Sequence, residues 1–309
     1  MSIYKQNLTN NHKNYKIESI KNFKVGVNMN WIICVILYLI LTVVMDQAFK
    51  IATKTLTKPG TITVLIQGIG TIVVLLISPL FEMKFPTDIN VYIFLGLAVI
   101  FYAISDRLNT TVRSGIEAST FSIIKQLSTV FMILAGLIFL REPFILNKFI
   151  GAILIILSNI LIFYKKGDGK PNKYIILGII ANICYTIALF LDVNISNNFN
   201  LPFYVSITLG ISAILIAIIE KVKVSDIKNE LNNGNKKAIC ITGIAWALSI
   251  VAQLRAYQLG SVTIVAPLCA LVVILNVIIG YFLQKEKENL SKKVIAAILI
   301  ILGIILIRV

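Results

Sequence analysis

Of the chain's 309 residues, 58% are hydrophobic and 14% charged, against about 45–50% and 25% in soluble domains, which excludes a soluble globular protein and indicates an integral membrane protein. A net charge of +15 raises nucleic acid as a partner, but the basic residues lie in short loops between apolar runs and not on one face. Nucleic acid is therefore excluded, and a membrane orientation signal remains.

Residues 1–28 are polar, rich in Asn and Lys, and lack the apolar core of a signal peptide, so they are expected to form a disordered tail. Met29 stands directly before the first apolar run, and a start of translation there is the second reading. Beyond it, apolar runs near the ~20 residues that cross a bilayer occupy residues 31–52, 61–81, 91–104, 118–140 and 148–164, then 174–193, 201–219, 238–257, 262–283 and 293–307. The third is short unless it continues through Ser105. The longest loop, 220–237, is too small and polar to be a domain. Cys34, Cys184, Cys240 and Cys269 all stand inside apolar runs without metal-ligand or CxxC spacing, so no disulfide, metal or cofactor is expected.

Two of these runs are nearly the same sequence. KFIGAILIILSNILI (148–162) and KVIAAILIILGIILI (293–307) agree at about three-quarters of positions, which marks an internal repeat. The expected fold is all-α, with ten transmembrane helices in two five-helix repeats, 29–166 and 167–309. An odd number of spans per half turns the second copy over in the membrane, giving an inverted repeat. The side that holds the start of the first span carries Lys84, Arg141, Lys148 and Arg308. The other side carries Lys50, Lys54, Lys58, Arg107, Arg113 and the lysine-rich stretches 165–173, 221–237 and 285–293. The positive-inside rule makes that second side cytoplasmic.

An ionisable group at the bilayer centre costs about 2.5–3.5 kcal/mol on insertion scales, so each needs a reason. Asp46, Gln67 and Lys125 fall at a similar depth below the cytoplasmic face, with Gln126 beside Lys125, and are read as a polar layer around a central cavity. There Lys125 would pair with Asp46 or with an anionic group of a substrate, and Asp46 would take a coupled proton when the pair opens. The bland reading has Lys125 snorkelling to the interface and Asp46 bonded to Lys50 at i+4. In the second half, Tyr185, Gln253 and Arg255 are the counterpart candidates, and Asp192 there and Asp106 and Arg107 at the end of the third span are gate candidates; interfacial anchoring is the alternative for Arg255, Asp192 and the Asp106–Arg107 pair. Asn159, Asn182 and Asn276 are expected to bond between helices, Tyr38 and Trp246 to pack in the core. The GxG at Gly68–Gly70 lies in an apolar span with no preceding strand and reads as helix packing.

The acidic turns FLREP, with Glu142 before Gly151, and FLQKEK, with Glu286 before Gly303, together with VAPLCAL around Pro267, resemble the EamA family of the drug/metabolite transporter superfamily. The chain departs from the family pattern where Thr129 and Val273 replace a frequent proline and where VVMDQAF lacks the usual tryptophan. The resemblance implies a transporter and no enzyme: a cell-membrane protein, monomer or homodimer, moving a small metabolite such as an amino acid, often outward. A flippase for a lipid-linked intermediate is the alternative in the same superfamily, and a passive channel or structural protein the alternative from another class.

Overall fold

The computed structural model describes residues 30–54, 58–128, 130–131, 146–163, 173–260, 265, 268–285 and 289–306. The polar tail, Met29, Glu142, Glu286, Thr129 and Pro267 lie outside the described residues. Trp31–Val309 forms one compact unit, and among its described residues every regular element is helical.

The first half supplies α1 (Trp31–Ala52), α2 (Pro59–Ile77), α3 (Ile89–Gly115), α4 (Ala118–Lys125) and α5 (Leu146–Phe163). The second supplies α6 (Lys173–Ile195), α7 (Leu201–Ile219), the short polar α8 (Val224–Asn233), α9 (Lys236–Leu259), α10 (Val272–Leu283) and α11 (Leu290–Leu306). Polar residues set several starts. Asp88 accepts from the Asn90 amide at 2.9 Å to open α3, Asn200 from Phe203 at 2.9 Å to open α7, and Asn235 from Ala238 at 3.0 Å to open α9. Pro59 opens α2, where its missing N–H costs nothing. The Asn200 amide also donates to the Ser78, Phe81 and Glu82 carbonyls, tying the α2–α3 connection to the α7 N-terminus.

Among the described residues, six helices are long and apolar enough to cross a membrane, and Phe149–Leu161 and Leu268–Leu283 are shorter apolar helices. Their outer faces carry bare aliphatic side chains: Leu76 is 74% exposed, Ile72 60% and Ile214 58%. Water would penalise such a belt, whereas lipid matches it.

The third span takes the longer of its two readings, through Ser105 and beyond. It is no short run ending near residue 104: α3 has 27 residues and continues to Gly115, about 40 Å of helix. It stops where the chain turns extended at Ile116, and a Cβ on Gly115 would strike the Tyr174 ring.

The principal packing runs between the halves. α1 lies on α9 and α3 on α6, α2 on α7, α4 on α10, α5 on α11. Exchanging the halves maps each pair onto another pair or onto itself. Glycines permit the closest approaches: a Cβ on Gly303 would sit 2.6 Å from the Gly151 carbonyl, and one on Gly243 2.8 Å from that of Ile66. Of the GxG glycines, Gly70 packs in this way against Gly243 and Ala247, while Gly68 faces open space.

Candidate functional site

Between α1, α3, α4, α6, α7 and α9 lies a cavity that brings charged, aromatic and polar side chains together. Its charged lining consists of Asp106, Asp192 and Lys125, its aromatic lining of Tyr38, Tyr102, Tyr185, Tyr204 and Trp246, and Gln253, Ser249, Thr42 and Thr208 complete the polar wall. Tyr38 and Trp246 therefore face the cavity as well as the core.

Lys125 ends α4, where the helix dipole favours a cation. Its Nζ stands 5.6 Å from the Tyr185 ring centroid. Among the described residues it has no hydrogen-bond or salt-bridge partner, and the expected pair with Asp46 is not formed. Arg113 takes that place.

Asp46, 2% exposed, receives the Arg113 guanidinium at 2.6 Å and the Asn276 amide at 2.6 Å. Arg113 is itself stacked on Phe121 at 3.7 Å and Phe49 at 4.7 Å. Asn276 also donates to Ser122 at 3.2 Å and accepts from Gln47 at 3.1 Å, so one amide links α1, α4 and α10. Lys50, the bland alternative as partner of Asp46, donates to the Arg113 carbonyl at 3.0 Å. Past this network, at the C-terminal end of α1, Gln284 donates to the Gln47 carbonyl at 3.0 Å and Lys54 to Gln284 at 3.4 Å, seaming α1 to the end of α10.

The Asp106–Arg107 pair divides. Asp106 turns into the cavity and accepts from Gln67 at 2.8 Å, Gln67 donating also to Ser212 at 3.2 Å. Arg107 points the other way, to Glu220 and, at 2.6 Å, to Thr111. Adjacent residues on a helix diverge by about 100°, so one could not serve both the cavity and its partner. Asp192 lines the cavity, with its two oxygens taken by the hydroxyls of Tyr102 at 2.6 Å and of Tyr204. Tyr185 and Gln253 line it as well. Gln126 and Arg255 stay outside the lining: Gln126 closes the end of α4, and Arg255 donates to Gln258 at 3.2 Å. Of the three asparagines, Asn276 bridges helices, whereas Asn159 and Asn182 donate back to the Ile155 and Gly178 carbonyls of their own helices.

Sequence reasoning misses Arg113, which it places in a loop, and the two tyrosines that hold Asp192, Tyr102 and Tyr204. A signal was present: Asp106, Thr110 and Arg113 recur at i, i+4 and i+7, a helical stripe that continues the third span past residue 104.

The model of the EamA-like transporter family matches residues 29–164 and again residues 172–309. The chain belongs to the EamA-like transporter family. It is thus a multi-pass membrane protein of the drug/metabolite transporter superfamily, whose members are transporters and not enzymes. No curated protein matches the sequence. Among solved structures, one described as "Crystal structure of protein" aligns over 88% of this chain and 94% of its own, with a TM-score of 0.54 and 11% identity, a likeness of fold.

Proposed function

We propose that this EamA-like protein is a secondary transporter of the cell membrane that exports a small polar metabolite, such as an amino acid or related compound, by alternating access. Two inverted five-helix halves, ten spans in all, would rock about the central cavity. The exchange-related packing of α1 on α9 and α3 on α6 supports that arrangement. The observation that carries the reading is Lys125, a cation in the cavity wall whose ammonium group forms no ion pair or hydrogen bond among the described residues. An anionic group of the solute would supply it.

The polar network of Asp46, Arg113 and Asn276, backed by the Gln47–Gln284 seam, supports a closed cytoplasmic path beneath the cavity. Opening that path would part Asp46 from Arg113 and leave the carboxylate free to take a coupled proton. The charged lining favours a compact solute over a lipid-linked intermediate, whose long chain needs an apolar groove.

Purified protein in proteoliposomes should show saturable counterflow of a solute found by screening a metabolite library. Lys125→Ala should remove that flux while the variant inserts normally. Undiminished flux in Lys125→Ala would overturn the assignment, and non-saturable flux would indicate a channel.

A further inference from the structure

Each half places an acid in its first helix, and the two acids are neutralised differently. Asp46 has Arg113. Asp192 is as thoroughly buried, at 3% exposure, yet among the described residues it has no cationic partner. Where a lysine or arginine would be expected, the chain presents phenols. Tyr102 on α3 donates to one carboxylate oxygen at 2.6 Å and Tyr204 on α7 to the other. The remaining ionisable groups nearby are Tyr185, two turns earlier on α6, Asp106, one turn beyond Tyr102 on α3, and Lys125 on α4, which stands over Tyr185. Neutral donors orient a carboxylate without cancelling its charge.

The surroundings suit a cation. Tyr102 and Tyr185 meet edge to face at 6.0 Å, and Trp246 lines the cavity with them. Aromatic faces carry negative potential, and together with a carboxylate they form the set of groups that holds an ammonium ion. We propose that Asp192, clamped by Tyr102 and Tyr204, seats an ammonium group of the transported solute, which makes the substrate an amine or an amino acid presenting its ammonium end. This rests on the cavity being the transport site. It also divides the lining by charge, with Asp192 taking the cationic end of the solute and Lys125 its anionic end.

Trp246 gives a direct readout, since the chain has two tryptophans and Trp31→Phe leaves one in the cavity wall. The full-length Trp31→Phe protein in detergent is titrated with phenethylamine, its neutral isostere 2-phenylethanol and the anion 3-phenylpropionate. The amine should bind at least about 10-fold more tightly than the alcohol. Asp192→Asn should bring the amine to the level of the alcohol without altering alcohol binding, and Tyr102→Phe and Tyr204→Phe should fall between. Lys125→Ala should weaken the anion and spare the amine. Circular dichroism and gel filtration establish that each variant is folded; should Asp192→Asn fail to fold, the two Tyr→Phe variants decide. The proposal is overturned if the amine and alcohol bind alike, if neither alters Trp246 fluorescence, or if the folded variants keep the full amine preference. An amine preference in a protein that transports nothing would refute the transporter reading instead.

Discussion

Asp46 and Asp192 occupy comparable places in the two halves, each about two turns beyond a tyrosine that lines the cavity, yet they belong to different kinds of site. Asp46 is enclosed by Arg113, Asn276 and two aromatic rings, and its charge is consumed within the protein. Asp192 is held by two hydroxyls at the cavity wall, and its charge is left for something else to meet. The lesson is that a duplicated residue is assigned by its partner: an arginine makes the acid a structural lock, whereas phenols keep it available.

The largest expected effect comes from breaking the lock on one side. Arg113→Ala leaves Asp46 buried and uncompensated, which should cost about 3–5 kcal/mol and appear as a marked loss of thermal stability in detergent. Asp46→Asn combined with Arg113→Gln should regain part of it. A melting temperature unchanged by Arg113→Ala would show that the pair does not lock the fold. Next, Tyr204→Phe removes a single hydrogen bond to a charged group, worth about 1.5–3 kcal/mol. It should destabilise the fold less than Arg113→Ala does; an equal or larger loss would erase the distinction between the two acids. Third, Lys125→Ala should leave the melting temperature where it is and lower transport at least about 10-fold, an effect of only ~1.4 kcal/mol.

An acid outside the membrane spans gives the smallest effect and calibrates the others. The carboxyl of Asp226, at the start of α8, is held below the ordinary carboxylate range by the Lys223 backbone N–H and then by Lys58, whose Nζ lies 3.0 Å away. A lowered acid stabilises the fold above its unfolded value, near pH 4, and loses that contribution as the pH falls through its folded value. Asp226→Asn should therefore shift the melting temperature by no more than about 2 °C at pH 7, and the shift should vanish in strong acid.

The charged lining of the cavity was legible because a polar residue inside an apolar run is conspicuous: Asp106, Lys125 and Asp192, with Tyr185 and Gln253, could all be picked out. Their pairings were not. Depth along a helix follows from residue number, but rotation about it and the neighbour across the interface depend on how whole helices pack, so Lys125 and Asp46 could be placed at one level without meeting. Arg113 was lost for a related reason, since a charge near the end of an apolar run looks the same whether the helix stops or continues. The repeat was readable from 148–162 and 293–307 because close packing at a shared contact restricts both copies to similar side chains.

The packing of α1 on α9 and α3 on α6 means that the first helix of each half finds its main neighbour in the other half. Neither half is then a folding unit in the ordinary sense, since each would expose to lipid the faces it reserves for its twin. The packing is that of a dimer whose two subunits are joined end to end. Two polypeptides made separately and carrying one half each should accumulate only when produced together, and each should protect the other from proteolysis.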